Sequence, residues 1–291
     1  MLLWDLNTDE VAPGQWIRAR VNVRNCDVTP DGRLLVAGLY DPGSRREPAG
    51  ENSYLTEGWT AISRPPYFTA LALWFDGCGG GGYWSTARDL HLFERMSEGA
   101  PDKGGVPGKI RRHGIGLRGQ GDTRPVAARL RREGWIAEET TKSIKLMAGW
   151  HSDEAIVDRI REAGLDLAPL KAMRASEYPH WVRLGETRWR RPFDGGVLER
   201  VGTFEELERI TLSEPSGEVR LELERPWNSW GWIDLDSRGR VIYSDRGCLW
   251  AWEDFPEGKP TMIADLNENK FQALPPPDWA ETWPSNSVPE W

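Results

Sequence analysis

Cysteine is scarce in this chain: Cys26, Cys78 and Cys248 are the full complement in 291 residues, widely separated and with no CxxC pair. An odd count at such spacing excludes a disulfide framework and points to reduced core thiols in a cytosolic protein. Histidine is nearly as rare. His91, His113, His151 and His180 are scattered, and none stands three or four residues from another ligand type on a helix, so spacing gives no zinc site and no metal is expected. No apolar run approaches 18 residues, which excludes a transmembrane helix, and the opening Met-Leu-Leu-Trp-Asp-Leu lacks the basic leader and long apolar region of a signal peptide. Positive charge is in deficit too, with 37 Lys and Arg against 45 Asp and Glu. A net charge of −8 argues against general binding to a nucleic-acid backbone, which needs a basic face, and suits a basic protein partner.

Catalytic motifs are missing as well. There is no GxSxG elbow, and no cysteine lies in a recognisable catalytic context. The glycine run 79–82 is followed by neither GK[ST] nor a helix, so it fails as a phosphate cradle and no cofactor is expected. Asp234 and Asp236 would share one side of a strand, but only two carboxylates precede Gly239, well short of a calcium loop. They read as turn and strand-end residues. The 45 acidic residues contain no pair that sequence alone selects for glycoside hydrolysis.

Tryptophan is what the chain has in surplus: 17 residues, more than 7 Phe and 6 Tyr combined. That number stiffens a core and leaves some indoles for an exposed binding face. The stretch 227–252, WNSWGWIDLDSRGRVIYSDRGCLWAW, reads as three short strands joined by the turns Ser237-Arg238-Gly239 and Asp245-Arg246-Gly247, with strand formers between them. Near the N-terminus DVTPDGRLLV repeats DLDSRGRVIY at the same offsets, Asp27 matching Asp234 and Gly32 matching Gly239. A repeated meander of this kind resembles a blade of a β-propeller. Repeats of 40 to 45 residues would leave room for about six, although the middle of the chain does not display them.

The expected fold is therefore mainly β, with β-propeller-like meanders in a single domain over 1–291. Further strands are expected at 2–6, 15–23, 68–75, 90–93, 181–184, 187–191, 197–201, 218–223, 260–266 and 270–274. A helical insertion is expected over 122–176, with one helix capped by Thr123, carrying Pro125 in its first turn and stopped at Gly134, and another capped by Ser152 and ended by Gly164. Thr203 and Glu206 form a capping-box pattern that predicts a short helix over 204–210. The basic stretch 97–121 reads as a solvated loop, or as a surface for an acidic partner or an anion. The proline-rich tail 275–291 carries Trp279, Trp283 and Trp291, which can dock it back.

The most unusual local sequence is GWTAISRPPYFTALALWFDGCGGGGYW, ending at Trp84. Its glycines form either a tight corner packed under Trp84 or a ligand-facing loop flanked by Trp59, Arg64, Tyr67 and Trp84, which are the candidate binding residues.

Three blocks, APGQWIRARVNVRNCDVTPDGRLLV, WTAISRPPYFTALALW with GGGGYW, and GWIDLDSRGRVIYSDRGCLWAW with ADLNENKF, resemble a family of uncharacterised bacterial proteins over about two fifths of the chain. The resemblance implies a propeller-like β fold and a bacterial cytosol and names no catalytic residue; it also implies that a strand preceding the first block is missing here. The expectation is a non-enzymatic cytosolic binding protein that engages a protein partner through Trp and Arg anchors, of the inhibitor or immunity type that neutralises a basic toxin. The alternative is an enzyme or a small-molecule binder, with a sugar or nucleotide stacked on Trp59, Tyr67 or Trp84 and an Asp or Glu doing acid–base work.

Overall fold

Glycine-bearing turns and short runs of strand formers build sheets along most of the chain. The computed structural model describes residues 1–41, 57–75, 80–115, 125–138, 143–144, 154, 157–158, 161, 182–183, 187–202, 207–226 and 232–284. Two compact units form, one from residues 1–133 with 267–291 and the other from residues 134–266.

In the first unit the strands are β1 (Leu2–Trp4), β2 (Val11–Pro13), β3 (Arg20–Val21), β4 (Asp27–Val28), β5 (Leu35–Tyr40), β6 (Gly58–Ser63), β7 (Ala70–Phe75), β8 (Gly82–Trp84), β9 (Asp89–Phe93), β10 (Lys103–Gly104) and β11 (Arg111–Ile115). The main sheet runs β10-β7-β6-β5-β3, with β4 also paired to β5. Nearly every position of β5 and β6 is buried, because both faces of this sheet carry a core. Leu35, Ala37, Leu39, Trp59 and Ala61 lie in one cluster, and Val36, Ile62, Ala72 and Trp74 in the other with Trp84, Leu90 and Leu92. A second, three-stranded sheet runs β11-β9-β8, with β9 antiparallel to β8 and parallel to β11.

Helix α1 (Glu94–Glu98) follows β9, and α2 (Pro125–Arg132) has proline in its first position and basic residues in its last turn, as the helix dipole favours. Pro125, Ala127 and Leu130 are buried. Arg132 holds the helix to the sheet: its guanidinium donates to both carboxylate oxygens of buried Asp27 at 2.7 and 2.9 Å, and also to the carbonyl of Trp84. Asp27 accepts the backbone N–H of Trp84 at 2.8 Å as well. Arg129 donates to the carbonyl of Cys26, whose thiol is buried, in no disulfide and pushed up to about 11 by desolvation.

In the second unit, β12 (Ile136–Ala137), β13 (Ser143–Ile144), β14 (Val182–Arg183), β15 (Thr187–Phe193), β16 (Gly196–Gly202), β17 (Leu207–Ser213), β18 (Val219–Pro226), β19 (Trp232–Leu235), β20 (Val241–Asp245), β21 (Cys248–Trp252) and β22 (Thr261–Asp265) follow in order. They form an antiparallel sheet β12-β15-β16-β17-β18, a β13-β14 pair and the meander β19-β20-β21-β22. The protein is mainly β with few helices, and its sheets are those of a β-propeller-like fold.

The twin hairpins are built alike in detail. Asp236 accepts the N–H groups of Arg238 and Arg240 on one carboxylate oxygen, both at 2.9 Å, and Gly239 donates to its carbonyl. At the matching position the hydroxyl of Thr29 accepts the N–H groups of Arg33 and Leu34, and Gly32 donates to the Thr29 carbonyl. The preceding aspartates match too: Asp27 is clamped by Arg132, and Asp234 by Arg191.

Several expectations need correction. Residues 207–213 form β17, not the end of a helix, because Ile210 and Leu212 alternate into the core between β16 and β18; the capping-box residues 203–206 lie outside the described residues. Val11–Pro13, outside the strands expected at 2–6 and 15–23, is a strand paired with β1. The strand expected over 15–23 is confined to Arg20–Val21 and is followed by a 3-10 turn over Val23–Asn25. The basic stretch is no continuous loop, since it supplies β10 and β11. No strand forms over 270–274. The Thr123 and Ser152 caps lie outside the described residues.

Candidate functional site

The four sequence-selected residues do not converge on one surface. Trp59 stands on β6 between Leu39 of β5 and Phe75 of β7, 6% exposed in the core cluster with Cys26. Trp84 is fully buried in the other core cluster, and its indole N–H has no hydrogen-bond partner among the described residues. Arg64 and Tyr67, in the turn between β6 and β7, instead bind the C-terminal segment. Arg64 donates to the carbonyls of Trp279 and Thr282 at 2.5 and 3.2 Å and places its guanidinium 4.8 Å from the Trp279 ring centroid. Tyr67 meets the same ring edge-on at 5.3 Å. Trp279, on the 3-10 turn Asp278–Glu281, keeps 44% exposure.

The described glycines form a packed corner. Gly81 donates to the hydroxyl of fully buried Thr60 at 2.7 Å, and the Asn25 amide donates to the carbonyl of Gly80 at 3.1 Å. A Cβ on Gly38 of β5 would stand 2.2 Å from the Gly80 carbonyl oxygen. Glycine serves close backbone approach here, so the ligand-facing reading of residues 80–82 is not what the geometry provides.

A second aromatic cluster lies on the same unit. Trp16 and Phe271, 42% and 58% exposed, meet edge-on at 6.3 Å, and the Arg18 guanidinium lies 5.7 Å from the Phe271 centroid. Gln15 ties the segments together: its side-chain oxygen accepts from the Phe68 N–H at 2.7 Å and the Thr69 hydroxyl at 3.3 Å, and its amide donates to the Leu274 carbonyl. Sequence reasoning selected neither Trp16 nor Phe271. The signal for Trp279 was its place in a proline-rich tail, where a large aromatic must dock or stay wet.

The third grouping is polar and lies on one face of the β8-β9-β11 sheet. Register places Tyr83, His91 and His113 in one cross-strand row, with Asp89 and Arg111 opposite each other two residues along. Tyr83 and His91 stack at 4.3 Å with rings 4° from parallel, and His91 and His113 at 4.7 Å and 23°. Ser85 Oγ lies 2.9 Å from His91 Nε2. Asp89 is held by both guanidinium arms of Arg111 at 2.7 Å, by the Thr86 hydroxyl at 2.7 Å and by His113 Nε2 at 2.9 Å. Those bonds, Arg111 first, hold its carboxyl well below the usual carboxylate range. Burial, with the charge of His113, pushes His91 below its ordinary value against the opposing pull of Asp89. Arg112 donates to the carbonyls of Gly99 and Met96, so neither Arg111 nor Arg112 is held ready for an outside anion.

No family model, curated protein or solved structure matches this chain. Among the described residues no three His, Cys, Asp or Glu side chains are grouped to hold a metal ion, and no helix is long and apolar enough to cross a membrane. The pairing of His91 with His113 escaped the sequence reading because it is made across strands far apart in sequence. The available signal was Asp-x-His in 89–91 and Arg-x-His in 111–113, period-two spacing that puts both members of each pair on one side of a strand.

Proposed function

We propose that this is a binding protein that docks a protein partner through the aromatic and arginine clusters of its first unit. The observation that carries the reading is Trp279, half-exposed yet fixed in place by Arg64 and Tyr67. Trp, Tyr and Arg are the residue types that dominate interface energetics, and an aromatic already held in one orientation loses little conformational entropy on binding. Trp16, Phe271 and Arg18 supply a second cluster of the same composition.

The partner in this proposal is basic, because a net charge of −8 steers a cationic protein toward the molecule over long range. An inhibitor or immunity-type protein that neutralises a basic toxin in a bacterial cytosol fits both the charge and the sequence resemblance. The test is affinity capture of the tagged full chain from its own host, with native mass spectrometry of the eluate. A stoichiometric basic protein that is released by Trp279→Ala supports the reading. A retained small molecule without a protein partner overturns it.

A further inference from the structure

The face formed by Ser85, Asp89, Arg111, Tyr83, His91 and His113 has no part in the proposed docking clusters. We propose that Ser85 is a nucleophile for acyl transfer with His91 as its general base, giving the protein an esterase-type activity toward small activated esters. Ser85 Oγ and His91 Nε2 are 2.9 Å apart, within proton-transfer reach, and Ser85 is exposed where an incoming carbonyl can meet it. A base must be oriented as well as near. In serine hydrolases a carboxylate on the second ring nitrogen fixes the imidazole; here the ring is fixed by stacking, with Tyr83 on one side and His113 on the other.

Charge around the ring suits the same role. Among the described residues Tyr83, His113, Asp89 and Arg111 are the ionisable groups of this sheet face around His91; burial and His113 keep the imidazole neutral and so able to accept a proton, and the Asp89 carboxylate offsets part of the cost of the imidazolium that forms when the serine gives up its own. Thr86 directly follows the nucleophile. Its hydroxyl is committed to Asp89, while its backbone N–H has no acceptor among the described residues and so remains a donor for a developing oxyanion.

In the acylation step a bond forms between Ser85 Oγ and the ester carbonyl carbon, and the hydroxyl proton passes to His91 Nε2. The bond to the leaving alkoxy or aryloxy group then breaks, and that oxygen takes the proton from His91. Water attacks the acyl-serine by the reverse proton path, releases the acid and restores the hydroxyl. The face is open, which favours small esters with good leaving groups.

The test is labelling of the full chain with an alkyl fluorophosphonate, read by peptide mass spectrometry: Oγ bonds to phosphorus, fluoride leaves, and the proton departs through His91. Ser85 is expected to be the modified serine. His91→Gln should slow labelling by about 100-fold, as loss of a general base does. The rate should rise with pH through the titration of His91 and be flat above neutrality. Ser85→Cys gives a second readout that does not depend on phosphonate chemistry: its thiol should alkylate faster at neutral pH in the single variant than in the double variant that also carries His91→Gln. Labelling of Ser85 no faster than other exposed serines, or a His91→Gln substitution that changes the rate in neither assay, overturns the proposal.

Discussion

Gly81 has φ +113°, and a Cβ placed there would stand 2.1 Å from the Asn25 carbonyl oxygen. Gly32 has φ +72° with nothing within 4 Å of the same point. Alanine at Gly32 therefore meets only the backbone penalty, about 1 kcal/mol, while alanine at Gly81 adds a collision with main chain and should cost about 3 kcal/mol or more. Urea unfolding of the two variants checks this; equal losses would mean that the corner relaxes freely. Asp89 makes a pH-dependent contribution whose sign follows from its lowered pKa. A carboxyl held low in the folded state stabilises above its unfolded value, about 4, and that stability is lost as pH falls toward the folded value. Melting temperatures of wild type and Asp89→Asn should thus differ at neutral pH and converge in acid. Composition made the abundance of buried tryptophan legible, but not which indoles are buried. Trp59 and Trp279 are both flanked by polar and small residues, and only sheet pairing decides that one is core and the other surface.

Hairpins carried the most reliable sequence information, because their turn chemistry is local. The Asp-Ser-Arg-Gly turn at 236–239 and the Thr-Pro-Asp-Gly turn at 29–32 form as their glycines and side-chain acceptors dictate, with Gly239 and Gly32 at positive φ. Asp236 also binds the buried Arg240 side chain at 2.7 Å. Asp236→Ala should destabilise by about 3 kcal/mol, since it removes the turn acceptor and strips a buried guanidinium of its nearest partner. Asp236→Thr reproduces the Thr29 turn and should recover only the turn's share, about 1 kcal/mol; full recovery would show that Arg240 does not depend on Asp236. Where partners are distant, the sequence was silent. β11 pairs in parallel with β9 from 22 residues away in register, Arg111 to Asp89, and no local pattern announces it. Residues 207–210 of the expected helix are strand for the same cause, as cross-strand partners Arg200 to Gly202 and Leu223 to Pro226 decide their conformation.

At the scale of the whole molecule, charge and contact separate. The chain carries −8, yet among the described residues the charged groups that lie over the exposed aromatic rings are Arg18 and Arg64. A basic partner is then drawn by the long-range field and held by aromatic area, so salt and mutation should act on different rate constants. Raising ionic strength from about 0.05 to 0.5 M should slow association of the captured partner and leave dissociation nearly unchanged. Trp279→Ala should leave association nearly unchanged and speed dissociation by roughly 30-fold, the equivalent of about 2 kcal/mol for a central anchor. Surface plasmon resonance of wild type and variant at both salt concentrations separates the two effects. Should Trp279→Ala slow association without touching dissociation, the C-terminal aromatic would belong to the rim of the interface, and the anchor would have to be sought at Trp16 and Phe271, whose ring contact is equally exposed.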